Sequence, residues 1–549
     1  MDNTRLLLWM TFSLMLWFTY QAWVNQYPTP VEGAPLTIAS EEQPVQDVPA
    51  IQDLPQLTQP LTQVAPFVAD AGEPPQTIRI QTDVFDALID MQGGDLVQVE
   101  LLNYPIAKGL SAPIRLLDFN DQDRWVFQTG VTGPGRSESG ENEPNHQAEF
   151  IAEGDEYILG PGSDELIVRL DWSNAGALRA QKVYTFRRGQ YAVDLNLIVE
   201  NYGDEAWSGA GYAQIFRHHR PVDRSFTSVD SYSFTGPVLY DGEQYEKLDV
   251  EDLIEEPVNQ SLAGGWVAAI QHHFLAAAVP PPMETFNYRA AAQGEEYVLT
   301  GISNTVEVPA GEREEFPFTL FVGPKLQAQL AVAGPSLELT VDYGMLTILA
   351  QPLFWGLDRI YRVVGNWGWA IIIITILIKL VFYKLTETSG RSMAKMRKLQ
   401  PRMKSLQETY KGNREELSRH MMDLYKREKV NPAAGCLPIL IQMPFFFAFY
   451  WVLIESVEIR QAPFMLWIGD LSSRDPYFVL PLLMGAAMLI QTRLNPAPPD
   501  PIQAKVMQIM PIMFTVFFAF FPAGLVLYWL TNTTLSILQQ WRINKVIAD

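Results

Sequence analysis

Long uncharged apolar segments restrict the fold of this 549-residue chain more than any other feature. Leu6 to Val24 contains no charge, and its 19 residues would nearly span the roughly 30 Å core of a bilayer as a helix. Five more apolar segments follow, at approximately 363–383, 437–454, 477–490, 506–521 and 523–541. The sequence therefore predicts a polytopic α-helical membrane protein with six spans.

The first segment has two interpretations, a cleaved signal peptide and an uncleaved anchor. A signal peptide needs small residues at its cleavage site, whereas this segment ends in the bulky stretch Tyr20-Gln21-Ala22-Trp23. Aromatic residues there are typical of a membrane-interface anchor. We expect residues 1–24 to form an uncleaved signal-anchor span with a cytoplasmic N-terminus.

Charge distribution predicts the orientation of the spans. The loop 384–432 carries 13 basic and 6 acidic residues, whereas residues 24–350 carry 17 basic and 48 acidic ones. Loops rich in Lys and Arg stay in the cytoplasm. This predicts a cytoplasmic loop 384–432, cytoplasmic termini and a large acidic domain outside. The basic residues are interleaved with apolar spans, which argues against binding of nucleic acid.

The extracytoplasmic region divides into two parts. Residues 25–75 contain 10 prolines and little hydrophobic periodicity, as expected for an extended tether. Residues 76–335 contain short alternating segments such as Tyr191 to Val199, Glu296 to Thr300 and Phe316 to Val322. Alternation with a period of two predicts strands, so we expect an antiparallel, all-β sandwich domain here.

Two amphipathic regions flank the second span. Residues 336–362 suit a helix lying on the membrane surface, with Pro352 permitting the turn into the bilayer, although an ordinary linker fits the pattern too. The loop 384–432 predicts a helical hairpin with a turn at Lys411-Gly412-Asn413. Its methionines suit contact with nascent chains or targeting factors, or alternatively fill the seam between the two helices; they are Met393, Met396, Met403 and Met421.

Polar residues within the predicted spans are candidates for function. Lys379 is the one charge inside a span, and it is either a functional charge or a lysine that extends to the nearby interface. Gln442 lies in the third span, and Tyr528 and Asn532 share one face of the sixth. Because amides facing lipid are costly, these groups either line a wet pocket or hydrogen-bond between helices.

Residues for chemistry or metal binding are scarce. Cys436 is the single cysteine, which excludes an internal disulfide and any multi-cysteine metal site. No Ser/His/Asp, Cys/His or nucleotide-binding pattern is present, so we expect no catalytic residues, no metal and no cofactor. Neighbouring residues of a strand face opposite sides, so His218-His219 and His272-His273 are poor chelates.

A series of short motifs occurs in one order along the C-terminal half of the chain. They include Gln351-Pro-Leu-Phe354, Gly365-Asn-Trp-Gly368, Val430-Asn-Pro432, Ile441-Gln-Met-Pro444 and Phe521-Pro-Ala-Gly-Leu-Val-Leu-Tyr528. In these motifs and in its whole layout the chain resembles the YidC family of membrane insertases, in the form found in Gram-negative bacteria.

The resemblance implies a periplasmic β-supersandwich and a five-helix insertase core in the bacterial inner membrane. It also implies a hydrophilic groove open to cytoplasm and lipid, whose usual arginine is matched by Lys379 and whose sixth-helix tyrosine is replaced by Trp529 beside Tyr528. Implied partners are nascent inner-membrane proteins, the Sec translocon, the ribosome and the signal recognition particle receptor. Only Arg542 and Lys545 stand where some relatives carry a basic tail for ribosomes.

We therefore expect a non-catalytic insertase and chaperone for inner-membrane proteins. Polar client segments would enter a groove of Lys379, Gln442, Tyr528, Trp529 and Asn532. Apolar segments would leave along an aromatic slide on the third and fifth spans, formed by Phe445, Phe446, Phe447, Phe517 and Phe518. Two alternatives remain at this point: a secondary transporter, and a membrane-tethered periplasmic module that binds carbohydrate or acts as a chaperone.

Overall fold

The structure, a computed structural model, describes residues 76–120, 122–133, 143–174, 177–220, 233–428, 430, 437–494 and 501–548. The predicted signal anchor, 1–24, and the predicted tether, 25–75, lie outside these residues.

Strands make up most of the chain between residues 77 and 324. Their bounds are β1 Thr77–Gln81, β2 Phe85–Asp90, β3 Asp95–Pro105, β4 Pro113–Leu117, β5 Trp125–Thr132, β6 Ile151–Ala152, β7 Glu156–Ile158, β8 Glu165–Ser173, β9 Leu178–Arg187, β10 Ala192–Asn201, β11 Trp207–His218, β12 Thr235–Tyr240, β13 Tyr245–Lys247, β14 Val258–Ala263, β15 Trp266–Gln271, β16 Phe274–Val279, β17 Thr285–Gln293, β18 Glu296–Ser303, β19 Val306–Val308 and β20 Arg313–Pro324. A short helix, α1 Val250–Glu255, interrupts the series.

The strands form three sheets. One has the order β4-β3-β2-β1-β7, and another has the order β13-β12-β15-β16-β20-β10-β9-β8-β6. In the third, β14-β17-β18-β11-β19, strand β5 pairs with β11. The pairs are antiparallel apart from β1 with β7. The result is the β-rich domain that the alternating sequence pattern predicts.

Strand β10 shows why the pattern folds this way. Val193, Leu195 and Leu197 are buried, while Asp194 and Asn196 between them are partly exposed. One face of a strand receives every second side chain, so this alternation places an apolar row on the core and a polar row outside. The predicted segments around residues 191–199, 296–300 and 316–322 all fall in strands.

Helices make up most of the described residues after 324. They are α2 Gln327–Ala333, α3 Thr347–Val364, α4 Trp367–Val381, α5 Tyr383–Thr409, α6 Arg414–Arg427, α7 Leu437–Glu455, α8 Val479–Leu494, α9 Pro501–Phe518 and α10 Ala523–Ala548. One hydrophobic core continues from the β-rich domain into the helices, since the same cluster contains Leu320 of β20 and Leu453 of α7.

The helices differ in length from the predicted spans. In the described part of the chain, no individual helix combines the length and the hydropathy needed to cross a bilayer. Helices α4 and α5 meet that test when taken together, with a bend of 69° at the break between them.

The chain turns between α3 and α4 at a different residue than the sequence predicted. The sequence predicts the turn at Pro352, but this proline lies inside α3, which continues to Val364. Gly365 then takes a left-handed conformation with φ of 66°, and the Asn366 side chain caps α4 by accepting from the Trp369 amide at 3.1 Å. Glycine adopts this conformation without strain, so Gly365 ends the helix. Because of it, α4 begins four residues after the predicted start at Val363.

The β-rich domain meets the helices at a buried junction. Glu455 at the end of α7 accepts a hydrogen bond from Ser233 at 2.7 Å, and its carboxylate lies 3.9 Å from the Lys325 ammonium after β20. The Ile454 carbonyl accepts from the His272 ring at 3.1 Å. The hydroxyls of Tyr343 and Ser456 share a hydrogen bond of 3.1 Å. These contacts connect the two parts through polar groups as well as through the core.

Candidate functional site

Lys379 lies in the last turn of α4 and points toward α10. Its ammonium donates to the Asn532 side-chain oxygen at 3.0 Å and to the Ser536 hydroxyl at 2.8 Å. The Ser536 hydroxyl in turn donates to the main-chain carbonyl of Asn532 at 2.8 Å. The side chain is therefore held between two helices by neutral oxygen acceptors. In the other interpretation of the sequence, it extends along its own helix to the membrane interface.

A pocket of about 30 Å³ opens beside this lysine. Its polar and apolar lining comes from α4, the start of α5, α7 and α10; the lining residues are Thr375, Ile378, Lys379, Phe382, Leu385, Thr386, Ile441, Gln442, Phe445, Tyr528 and Asn532. The volume has room for about one or two water molecules. The pocket is thus large enough for water and too small for a peptide segment.

Gln442 leaves one polar group in this pocket without a partner. Its buried side-chain nitrogen donates no hydrogen bond to any of the described residues. The Tyr528 hydroxyl interacts with the same amide group, and the Tyr528 ring stacks on Phe449 with centroids 4.7 Å apart. A buried donor without a partner costs about 1–3 kcal/mol. The pocket therefore favours an occupant that accepts hydrogen bonds.

Hydrogen bonds between helices continue beyond the pocket. Gln539 of α10 donates to the Thr386 hydroxyl at 2.9 Å and to the Tyr383 carbonyl at 3.3 Å, both in α5. Some of the polar groups thus bond between helices, as one interpretation of the sequence expects, while Gln442 lines the pocket.

The other predicted groove residue, Trp529, does not line the pocket. Its ring packs in an aromatic cluster against Phe446, Phe514 and Phe518, with centroid distances of 5.0, 6.5 and 5.5 Å. Neighbouring residues of a helix point about 100° apart, so Tyr528 reaches the pocket while Trp529 turns away from it.

The five phenylalanines of the predicted slide occupy three different environments. Phe445 lines the pocket, where its ring lies 5.4 Å from that of Phe382. Phe446 and Phe518 are buried against each other and against Trp529. Phe447 and Phe517 are exposed, by 39% and 43%. Two of the five side chains are therefore exposed on the outer surface of the packed helices.

The methionines of the predicted hairpin lie mainly between its two helices. Met396, Met403 and Met421 are buried in a small core of their own, and Met393 packs on its edge. Asn413 caps α6 by accepting from the Glu416 amide at 3.2 Å, as the capping-box spacing predicts. This arrangement favours the seam interpretation of these side chains.

Several side chains of the site are absent from the sequence-based set, and three of them make specific contacts there. They are Ser536, which bonds Lys379, Phe382, which faces Phe445, and Thr386, which bonds Gln539. The spacing of four residues between Asn532 and Ser536 is a signal for Ser536, since such residues share a helix face. Phe382 and Thr386 follow the break after α4, which hydropathy alone does not locate.

Comparison with known proteins covers both halves of the chain. Residues 77–356 match the family described as YidC periplasmic domain, and residues 359–549 match the family described as 60Kd inner membrane protein. The chain is 48% identical to "Membrane protein insertase YidC" of Thioalkalivibrio sulfidiphilus, with 100% of this chain and 99% of the relative covered. It is 45% identical to the protein of the same name from Nitrosococcus oceani, with both chains fully covered.

Among solved structures, the chain is similar to one described as "Active YidC insertase crystal structure with the first transmembrane domain resolved". The likeness covers 85% of this chain and 94% of the other, at 19% identity and a TM-score of 0.38.

Proposed function

The chain belongs to the YidC family of membrane protein insertases, and from this premise we propose that it inserts integral proteins into the inner membrane and assists their folding. The observation that carries the proposal is the Lys379 ammonium, which an apolar helix directs at Asn532 and Ser536 beside a pocket lined by the Gln442 side chain. A cation and an amide donor between these helices offer binding partners to a polar or acidic client segment.

The energetics explain why such a site assists insertion. An Asp at the centre of a membrane helix costs about 2.5–3.5 kcal/mol, whereas each Leu, Ile, Phe or Val contributes about −0.3 to −0.6 kcal/mol. A client span with many apolar residues offsets one or two carboxylates. An ammonium and amide donors inside the membrane reduce the remaining cost, so no catalytic chemistry and no nucleotide are required.

Client entry requires the pocket to widen, because its 30 Å³ holds only water. Phe382, at the break after α4, contacts Phe445 of α7, and both rings line the pocket. Rotation of these two rings away from each other would join the pocket to the lipid. The client carboxylate would then replace Asn532 as the acceptor for Lys379, and a charged acceptor forms the stronger hydrogen bond.

The exit route follows the exposed aromatic residues. Phe447 on α7 and Phe517 on α9 are the two predicted slide residues that face outward. We assign contact with the apolar client segment to these two. We assign packing of the helices around Trp529 to Phe446 and Phe518.

The proposal includes the arrangement in the membrane. Six spans with cytoplasmic termini, a periplasmic β-rich domain and a cytoplasmic hairpin of α5 and α6 agree with the charge distribution. The family resemblance extends the proposal to work beside the Sec translocon on larger clients. The ribosome and the signal recognition particle receptor are the proposed partners of the basic hairpin.

Site-specific photocrosslinking tests the groove. A crosslinker at Gln442 should capture the polar tail of a stalled client, and one at Phe447 should capture its apolar segment. Leu483 of α8 is the matched control, because it is 49% exposed but does not line the pocket. Equal capture at Leu483 and Gln442, or none at Gln442, would contradict the groove.

A further inference from the structure

A turn of the β-rich domain carries two exposed apolar side chains. It connects β3 to β4, and Ile106 and Leu110 in it are each 58% exposed. The turn is ordered, since the Leu110 amide donates to the Ala107 carbonyl at 3.1 Å and the Ile106 amide to the Ala112 carbonyl at 3.0 Å. We call residues 106–110 the β3–β4 tip. Large apolar side chains on an ordered turn suggest a binding surface rather than a loose loop.

The β3–β4 tip rests on the linker between α7 and α8. The Arg460 side chain donates to the carbonyls of Pro105 and Ile106 at 3.2 and 3.3 Å, and Gln461 donates to Pro105 at 3.3 Å. The Lys108 ammonium lies against Gly469 of the same linker. The position of this linker relative to the helices therefore determines where the tip lies.

The linker lies at one end of the helix bundle. It begins where α7 ends and finishes where α8 starts. Asn366, at the start of α4, donates to the Phe464 carbonyl at 2.9 Å, and Ala523, at the start of α10, donates to the Ser473 carbonyl at 2.7 Å. The ends of four apolar helices thus meet at the linker. Irregular backbone that faces lipid does not occur inside the hydrocarbon core of a bilayer, so we place this linker at a membrane surface.

The linker itself also presents apolar side chains. Met465 and Leu466 are 44% and 81% exposed in a turn closed by a hydrogen bond from the Ile468 amide to the Met465 carbonyl at 3.1 Å. Two ordered turns, one from the β-rich domain and one from the bundle, therefore carry apolar residues at the same end of the helices. Lys108 adds a positive charge between Ile106 and Leu110, suited to the phosphates of lipid headgroups.

We propose that the β3–β4 tip docks into the headgroup and acyl boundary of the periplasmic leaflet, beside the linker. The β-rich domain is then fixed to the membrane by its own apolar side chains as well as by its junction with α7. The inference goes beyond insertion itself, and it rests on the placement of the helices in a bilayer.

Fluorescence quenching by nitroxide lipids tests this docking. A single cysteine is placed at Ala107 in a Cys436→Ser background, labelled with an environment-sensitive fluorophore, and the full chain is reconstituted into vesicles of phosphatidylethanolamine and phosphatidylglycerol. Gln92→Cys is the control from the same domain. It is exposed in the turn at the other end of β3, about 33 Å away along that strand. Leu482→Cys on α8, 62% exposed, is the control for membrane embedding.

We expect loss of fluorescence at Ala107→Cys with nitroxides near the headgroup, less with nitroxides at mid-chain, and none at Gln92→Cys. Adding Ile106→Ser and Leu110→Ser should reduce the quenching at Ala107→Cys. Quenching at Leu482→Cys without quenching at Ala107→Cys would overturn the docking and leave the insertase function intact. Quenching unchanged by the two serines would overturn the role of the apolar side chains, and no quenching at Leu482→Cys would overturn docking together with membrane placement.

Discussion

The Lys325 ammonium and the Glu455 carboxylate lie 3.9 Å apart at the junction of the β-rich domain and α7, and both side chains are at least 95% buried. Burial lowers the pKa of Lys325, while Glu455 opposes that shift. Each charge of this buried pair stabilises the other, because removal of one would leave the other buried without a counter-charge.

Removing one partner of this pair should therefore cost more than removing both. We predict that Lys325→Met lowers the free energy of unfolding by about 3 kcal/mol, and that the double variant Lys325→Met, Glu455→Gln regains most of this loss. Thermal unfolding of the purified chain in detergent measures both. Losses that simply add in the double variant would show that the two charges do not interact.

Glu458, in the linker after α7, should make stability depend on pH. Burial raises its pKa from an ordinary 4.5 to about 7. The folded chain favours the protonated form of Glu458. The contribution of this group to folding stability is therefore complete below about pH 4.5 and is lost as pH rises through 7. We predict a decrease of roughly 2 kcal/mol in unfolding free energy between pH 5 and pH 8. In Glu458→Gln the unfolding free energy should depend less on pH. An unchanged pH dependence in this variant would show that another group causes the decrease.

Lys379 should matter through its charge. We predict that Lys379→Met slows insertion of a client with an acidic periplasmic tail about tenfold, since hydrogen bonds to charged groups contribute about 1.5–3 kcal/mol. Lys379→Arg, which keeps the charge, should remain close to the unaltered protein. Protease protection of the client in proteoliposomes is the measurement. A client with an uncharged tail serves as control, and an equal slowing of both clients would point to a structural defect.

Lys182 should be important for the stability of the β-rich domain. Its buried ammonium donates to the Asp95 carboxylate at 2.9 Å and to the Thr129 carbonyl at 2.8 Å. Lys182→Met would leave the buried Asp95 without its cation, at a cost of about 3–5 kcal/mol. The pair of Arg187 and Asp194 is the control: both side chains are 41% exposed, so Arg187→Met should cost less than about 1 kcal/mol. Urea unfolding of the two variants measures both losses of unfolding free energy. Similar losses in the two variants would contradict the prediction.

Met403 should stabilise the hairpin rather than bind clients. It is 3% exposed in the core between α5 and α6. Met403→Ala should destabilise the hairpin by about 2–5 kcal/mol and raise its amide hydrogen exchange, whereas Met403→Leu, of similar volume, should have a small effect. Reduced client crosslinking in a stably folded Met403→Leu variant would instead indicate direct binding.

Much of this arrangement is already encoded in local sequence patterns. The alternation in β10, the capping spacing of Asn413 and Glu416 and the apolar runs around Lys379 and Gln442 each depend on neighbours within a few residues. The family and the insertase function predicted from ordered motifs are confirmed by relatives 45–48% identical over the whole chain. Patterns of this kind are read correctly because backbone geometry relates spacing to the face of a strand or helix.

Local patterns did not determine which polar group meets which. Lys379 and Ser536 are 157 residues apart, and Arg460 and Pro105 are 355 apart. Periodicity places Asn532 and Ser536 on one face but does not identify the helix opposite. The same limit applies to Trp529 and to the five slide phenylalanines, because periodicity does not show which of these side chains share one surface.

The sequence by itself thus determined the apolar helices, the β-rich acidic domain, the cation within an apolar segment and the family. Tertiary structure decided that Lys379 points at α10, that Gln442 keeps a free donor beside a pocket, and that the β3–β4 tip lies at the ends of the helices. The reason is physical: hydrophobicity and backbone periodicity act over a few residues, whereas contacts between distant segments depend on how whole elements pack around a shared core.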